Sequence, residues 1–95
     1  MKLMNISSVE VLSDYKVRLM FTNGVEKVRD LKIYLHGPIF QSMRNSYEAF
    51  QAVYVDQDSG TIAWPNGADM DPNVLYYDHL KPAWMVEQEM MLKAA

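Results

Sequence analysis

The dipeptide Asn23-Gly24 constrains this chain more than any other feature. It stands between Val17-Arg18-Leu19-Met20-Phe21, in which Val17, Leu19 and Phe21 recur with a period of two, and Val25-Glu26-Lys27-Val28-Arg29. Alternation with a period of two fits a half-buried strand, and Asn-Gly readily supplies the positive φ angles of a tight hairpin turn. A two-residue type I′ loop places Leu19 opposite Val28 and Arg18 opposite Arg29. Upstream, Val9 and Val11 repeat the same period. A three-residue loop, Ser13-Asp14-Tyr15, sets Val11 opposite Val17 and Val9 opposite Leu19, the register that keeps one face apolar. The first third of the chain therefore predicts an antiparallel β-meander.

Gly37-Pro38 breaks the chain after residues 31–35. Phe40, Met43, Tyr47 and Phe50 then recur at helical spacing, with Asn45-Ser46 placed to divide the segment into two short helical turns. Ala52-Val53-Tyr54-Val55 and Thr61-Ile62-Ala63-Trp64 predict a second hairpin across Asp56-Gln57-Asp58-Ser59-Gly60. Asp71-Pro72 is a helix start, because the aspartate caps free N–H groups and proline suits the first helical position. That helix is expected to run to about Leu80, before Pro82. Residues 83–95 predict a final short helix. The fold class is α+β: an antiparallel β-meander plus a second hairpin, packed with two or three short helices. Residues 1–82 form a single domain, and residues 83–95 a C-terminal tail.

A chain of 95 residues is long enough for one hydrophobic core. It contains no cysteine, which excludes disulfides and cysteine-ligated zinc. The start, Met1-Lys2-Leu3-Met4-Asn5, lacks the apolar stretch of a signal peptide, and no apolar run approaches the ~20 residues of a membrane span. A cytoplasmic location is expected, with no membrane association. The net charge of −3 is unevenly spread: residues 1–50 carry seven Lys/Arg against five acids, and residues 51–95 carry two against seven. A nucleic-acid binder shows a basic balance or a dense basic stripe. This chain has neither, which argues against direct DNA binding by the chain alone.

Groups with chemical potential are few. The only histidines are His36 and His79. His79 lies near Asp69, Asp71 and Asp78, but the spacing matches no metal motif. A histidine at the negative end of a helix is the simpler reading. Asp56 and Asp58 resemble the first two ligand positions of a calcium loop. Gly60 then falls at the fifth position and Gly67 at the twelfth, where a glutamate belongs, so a tight turn accounts for the segment. There is no nucleophile elbow, P-loop or dinucleotide fingerprint. The expectation is no catalytic residue, no cofactor and no metal.

Two surfaces invite a partner. In the inferred register Lys16, Arg18, Lys27 and Arg29 share one face of the hairpin, with the two arginines directly opposed, an arrangement that destabilises a sheet. Either Glu10 bridges them or the face meets an anionic partner. In the tail, Trp84, Met85, Val86, Met90, Met91 and Leu92 cover more of a short helix than one buried stripe needs. Methionine is over-used on adaptable binding surfaces, so self-association or a protein partner is expected there. The bland alternative is that the tail closes the domain's own core.

The segment from Trp64 to Tyr76 reads W-P-N-G-A-D-M-D-P-N-V-L-Y. It resembles the W-P-N-G-x-D-x-x-P-x-x-L-Y signature of a family of small bacterial proteins known as domain of unknown function 2442. Tyr15-x-Val17-x-Leu19-x-Phe21-x-Asn23-Gly24 looks like the family's hairpin. Asp30-Leu31 resembles its strand end, Gly37-Pro38-Ile39-Phe40 its first helical turn, and Phe50 to Val55 its following strand. The likeness runs over residues 9–76. It implies a small α+β domain with no assigned activity or catalytic residues. Some members continue into a helix-turn-helix domain, and some sit in small operons of toxin–antitoxin type. Only 15 residues follow Leu80 here, too few for a helix-turn-helix.

The signature residues Trp64, Pro65, Asn66, Gly67, Asp69, Asp71, Pro72, Leu75 and Tyr76 also have a purely structural reading. Trp64 ends a buried strand, Asn66-Gly67 turns the chain, and Asp69 and Asp71 satisfy turn and helix N–H groups. Pro72 fixes the first helical φ, while Leu75 and Tyr76 return to the core. The function this sequence predicts is a non-enzymatic protein-interaction or regulatory module of a small bacterial operon. The alternative is a small enzyme or ligand-binding subunit using Asp69, Asp71 and His79.

Overall fold

The protein's three-dimensional structure is a computed structural model that describes residues 3–94. Strands β1 (Ile6–Val11), β2 (Lys16–Phe21) and β3 (Glu26–Asp30) form the antiparallel meander in the order β1-β2-β3. Val11 pairs with Val17 and Val9 with Leu19, as the three-residue loop requires. Asp14 takes that loop's one left-handed position, at φ 51°. An irregularity in the register between Ile6 and Ser8 lets Ile6 pair with Phe21, so Ile6 joins Val17, Leu19 and Phe21 in the core.

The second turn differs from the two-residue loop expected of Asn23-Gly24. Only Gly24 is left-handed, at φ 87°. The Phe21 carbonyl accepts from the Gly24 N–H at 2.9 Å, and the Phe21 N–H donates to the Val25 carbonyl at 2.9 Å. This is a three-residue loop ending in a glycine bulge, the next most common hairpin connection. One extra loop residue slides the register by one: Arg18 pairs with Val28, Leu19 with Lys27, and Val17 with Arg29. Because side chains alternate, the slip turns Val28 outward and brings Lys27 and Arg29 to the core side of β3. The two arginines are therefore not opposed, and the four cations do not share a face.

After β3, the Asp30 carboxylate caps a short 3₁₀ turn, Leu31–Tyr34, by accepting from the Lys32 N–H. Gly37, at φ 90°, redirects the chain into a second 3₁₀ turn, Pro38–Phe40. Helix α1 (Gln41–Asn45) and helix α2 (Tyr47–Gln51) follow, divided at Ser46, whose hydroxyl accepts from the Ala49 N–H. Met43 and Phe50 from the helical stripe are buried, while Tyr47 stays on the rim. Phe50 thus belongs to a helix rather than to the strand the family likeness suggested. The Ala52 and Val53 N–H groups bond back to the Ala49 and Phe50 carbonyls, which delays the strand.

The second hairpin is shorter than its sequence pattern: β4 (Tyr54–Asp56) pairs with β5 (Thr61–Ala63). The Ile6 N–H donates to the Gly60 carbonyl at 2.8 Å and joins the hairpin to β1. Helix α3 (Pro72–Tyr76) ends four residues before the expected Leu80. Arg29 takes the carbonyls of Leu75 and Tyr76, and Tyr77 turns to an extended conformation. Helix α4 (Ala83–Ala94) completes the α+β fold. The core runs from Met4 and Ile6 through Leu19, Phe21, Leu31 and Phe50 to Ile62, Trp64 and Leu75. Among the described residues, no helix is long and apolar enough to cross a membrane.

Candidate functional site

Residues 64–72 form a loop with a cavity on one side. Trp64 is 1% exposed; its Nε1 donates to the Phe50 carbonyl at 2.9 Å, and its ring meets Phe40 edge-on at 5.7 Å. Pro65 leads into a turn in which the Gly67 N–H donates to the Trp64 carbonyl at 3.0 Å. Gly67 sits at φ 92°, a conformation that disfavours other residues. Asn66 works in both directions: its amide donates to the Ile39 carbonyl at 2.9 Å, and its oxygen accepts from the Ala68 N–H at 3.0 Å. Asp71 caps α3 by accepting from the Asn73 N–H at 2.9 Å, with Pro72 in the first turn. Asn73, an unmarked position of the signature, accepts from the Met4 N–H at 2.8 Å. Leu75 is fully buried. Tyr76 packs edge-on against Phe21 at 4.8 Å, and its hydroxyl accepts from the Asn23 amide at 3.1 Å.

One polar side chain of this segment stands apart. Asp69 pairs through its backbone with Ala63, yet its exposed carboxylate meets no donor among the described residues. It borders a cavity of about 500 Å³ between the loop and the start of α4. Asp71 and Lys81 supply the remaining charge, Tyr34, Phe40 and Trp84 the aromatic surface, and Met70, Val74, Leu75 and Pro82 the aliphatic part. Lys81 is paired with Glu89 at 2.6 Å. His79 is not on the wall; its ring lies 5.9 Å from that of Tyr77. The three groups considered as a site are thus divided, Asp69 and Asp71 together and His79 elsewhere. Tyr34 and Lys81 carry no motif, and their contribution follows only from how the chain folds back.

The four cations of the meander separate into two pairs. Arg18 is ion-paired with Glu10 across β1–β2, and its Nε lies 3.7 Å from Glu26; Lys16 shares that outer side. Arg29 and Lys27 converge on Asp78, with Lys27 Nζ 3.8 Å from its carboxylate and 4.9 Å from the Tyr76 ring centre. The Arg29 hydrogen bond, followed by its charge and that of Lys27, holds the Asp78 carboxyl below its usual value of 3.8.

Helix α4 docks by its first turn. Trp84 stacks on His36 with ring centres 3.9 Å apart and planes 10° from parallel, and Met85 is half-buried. Beyond it, Met90, Met91 and Leu92 are 65%, 73% and 71% exposed. Among the described residues, no three His, Cys, Asp or Glu side chains gather as a metal site requires.

Fold and site together define a small α+β domain built around the turn-and-cap segment at residues 64–76. It belongs to the family described as "Protein of unknown function (DUF2442)", whose model matches residues 6–79. No match was found among curated proteins or solved structures.

Proposed function

We propose that this chain is a non-enzymatic protein-interaction module and that its contact element is the distal part of α4. The observation that carries the reading is the exposure of Met90, Met91 and Leu92 on a helix whose first turn stacks Trp84 on His36 and whose Glu89 pairs with Lys81. Among the described residues the buried core ends at Leu75, so the domain closes without them. Flexible, polarizable methionines suit a surface that adapts to a partner. The partner proposed is a second copy, since twofold pairing is the commonest form of self-association, or the helix of another protein. The family resemblance, in which some members look like parts of small operons, is what motivates the further reading that the module is regulatory and acts within a small bacterial operon. With a net charge of −3 and most meander cations already paired, duplex DNA is not the proposed partner.

Replacing Met90, Met91 and Leu92 together by Gln tests this. The expected result is a dimer that becomes a folded monomer, read by light scattering and circular dichroism, with the parent's melting temperature rising with protein concentration and the variant's not. A monomeric parent that also captures no protein lost by the triple variant refutes the proposal. The second reading, a small enzyme or ligand-binding subunit, draws support from the cavity beside Asp69 and Asp71 and none from His79.

A further inference from the structure

We infer that the cavity between the loop at residues 64–72 and the start of α4 binds an organic cation, an ammonium or guanidinium group carried on an apolar body. The volume of about 500 Å³ falls within the range of small-ligand sites, and apolar lining with a few convergent polar groups is their usual composition. The polar groups specify the charge. Asp69 and Asp71 both line the cavity, and Lys81, the one cation among its described lining residues, is ion-paired with Glu89 at 2.6 Å. No salt bridge links Lys81 to either aspartate.

Asp69 carries the argument. Each of the other polar side chains in this segment is used by the fold: Asn66 holds the Ile39 carbonyl, Asp71 caps α3, and Asn73 receives the Met4 N–H. Asp69 alone holds nothing, and it lines the same cavity as three aromatic residues. Tyr34, Phe40 and Trp84, all half-buried, border the same space. Aromatic faces attract cations through the ring quadrupole, and together with a carboxylate they recognise ammonium groups. An anion meets two like charges here, and a neutral apolar ligand leaves Asp69 without a role. The cavity lies at the docked end of α4, away from the exposed Met90, Met91 and Leu92, so this inference is independent of the proposed interaction surface.

The test is an NMR titration of the full chain with choline, with its neutral isostere 3,3-dimethylbutan-1-ol, and with an acetylated, amidated tripeptide Gly-Arg-Gly. The expected result is saturable shifts at Asp69, Val74 and the Trp84 indole with at least one cationic probe, and affinity at least fivefold weaker in Asp69→Asn. A response to choline identifies a free small cation as the occupant; a response to the tripeptide alone identifies an arginine side chain of a partner. Asp69 is exposed and unbonded, so the variant keeps its fold, which circular dichroism checks. Equal shifts with the neutral isostere, equal affinity in Asp69→Asn, or no shift with either cation up to about 10 mM, already weaker than the −4.1 kcal/mol of a millimolar complex, overturns the inference.

Discussion

Arg29 and Leu75 are joined by a hydrogen bond of 2.8 Å from the guanidinium Nε to the carbonyl, and that bond ends helix α3. The same guanidinium reaches the Tyr76 carbonyl at 3.3 Å and the carboxylate of Asp78. A lysine has no planar fork and cannot hold two neighbouring carbonyls in this way. Arg29→Met is expected to lower stability by roughly 1.5–3 kcal/mol from the carbonyl bonds alone. Arg29→Lys should recover part of that loss. Urea denaturation of the three proteins checks the order.

The lowered pKa of Asp78 makes a further prediction with a definite sign. A carboxylate held ionised by Arg29 stabilises the folded state at pH values above its unfolded pKa, and the contribution disappears as pH falls through the lower folded value. Asp78→Asn should therefore melt below the parent at neutral pH, and the two curves should converge as pH drops beneath 3.8. Asp78 is largely exposed, so the difference should be small and should shrink in salt. A gap that persists at low pH contradicts the assignment.

At the β2–β3 turn the glycine bulge separates the roles of two adjacent residues. Gly24→Val should cost about 1–2 kcal/mol, because a β-branched residue is forced to positive φ although nothing stands within 4 Å of its Cβ. Asn23→Val meets no such strain and loses only the side-chain bonds to the Val25 N–H and the Tyr76 hydroxyl. It should cost less. A type I′ turn, left-handed at both positions, predicts comparable losses, so denaturation midpoints of the two variants distinguish the turns.

Trp64→Phe keeps an aromatic ring but withdraws the donor from the Phe50 carbonyl and leaves a void in the core. A loss of roughly 2–4 kcal/mol is expected. The ordinary result for an exposed binding-site tryptophan is a loss of ligand affinity with little change in melting temperature, so thermal denaturation separates the two roles.

The meander, the second hairpin and the capped start of α3 were legible in the sequence because each rests on a local rule: alternation, turn chemistry, or an Asp-Pro cap. The register of β2 against β3 was not. Asn-Gly serves both a two-residue turn and a three-residue turn with a glycine bulge, and only the distant end of α3 decides which face needs Lys27 and Arg29. The end of α3 was hidden for the same reason, since Arg29 lies 46 residues away from the carbonyl it captures. Within residues 64–76 the Asn66-Gly67 turn and the Asp71 cap follow local rules, whereas Asp69, expected to satisfy turn N–H groups, meets no donor among the described residues, which only the folded arrangement of its neighbours reveals.

The slipped register also bears on the open edge of the sheet. Strand β3 forms the outer margin of the meander, where a foreign strand could add to the free backbone groups. Lys27 and Arg29 point inward there and need Asp78 and the α3 carbonyls to satisfy them. An incoming strand that displaced the end of α3 would leave two cations unpaired against apolar surface. Strand addition at this edge would in that case be opposed by the same arginine that bonds the last carbonyls of α3.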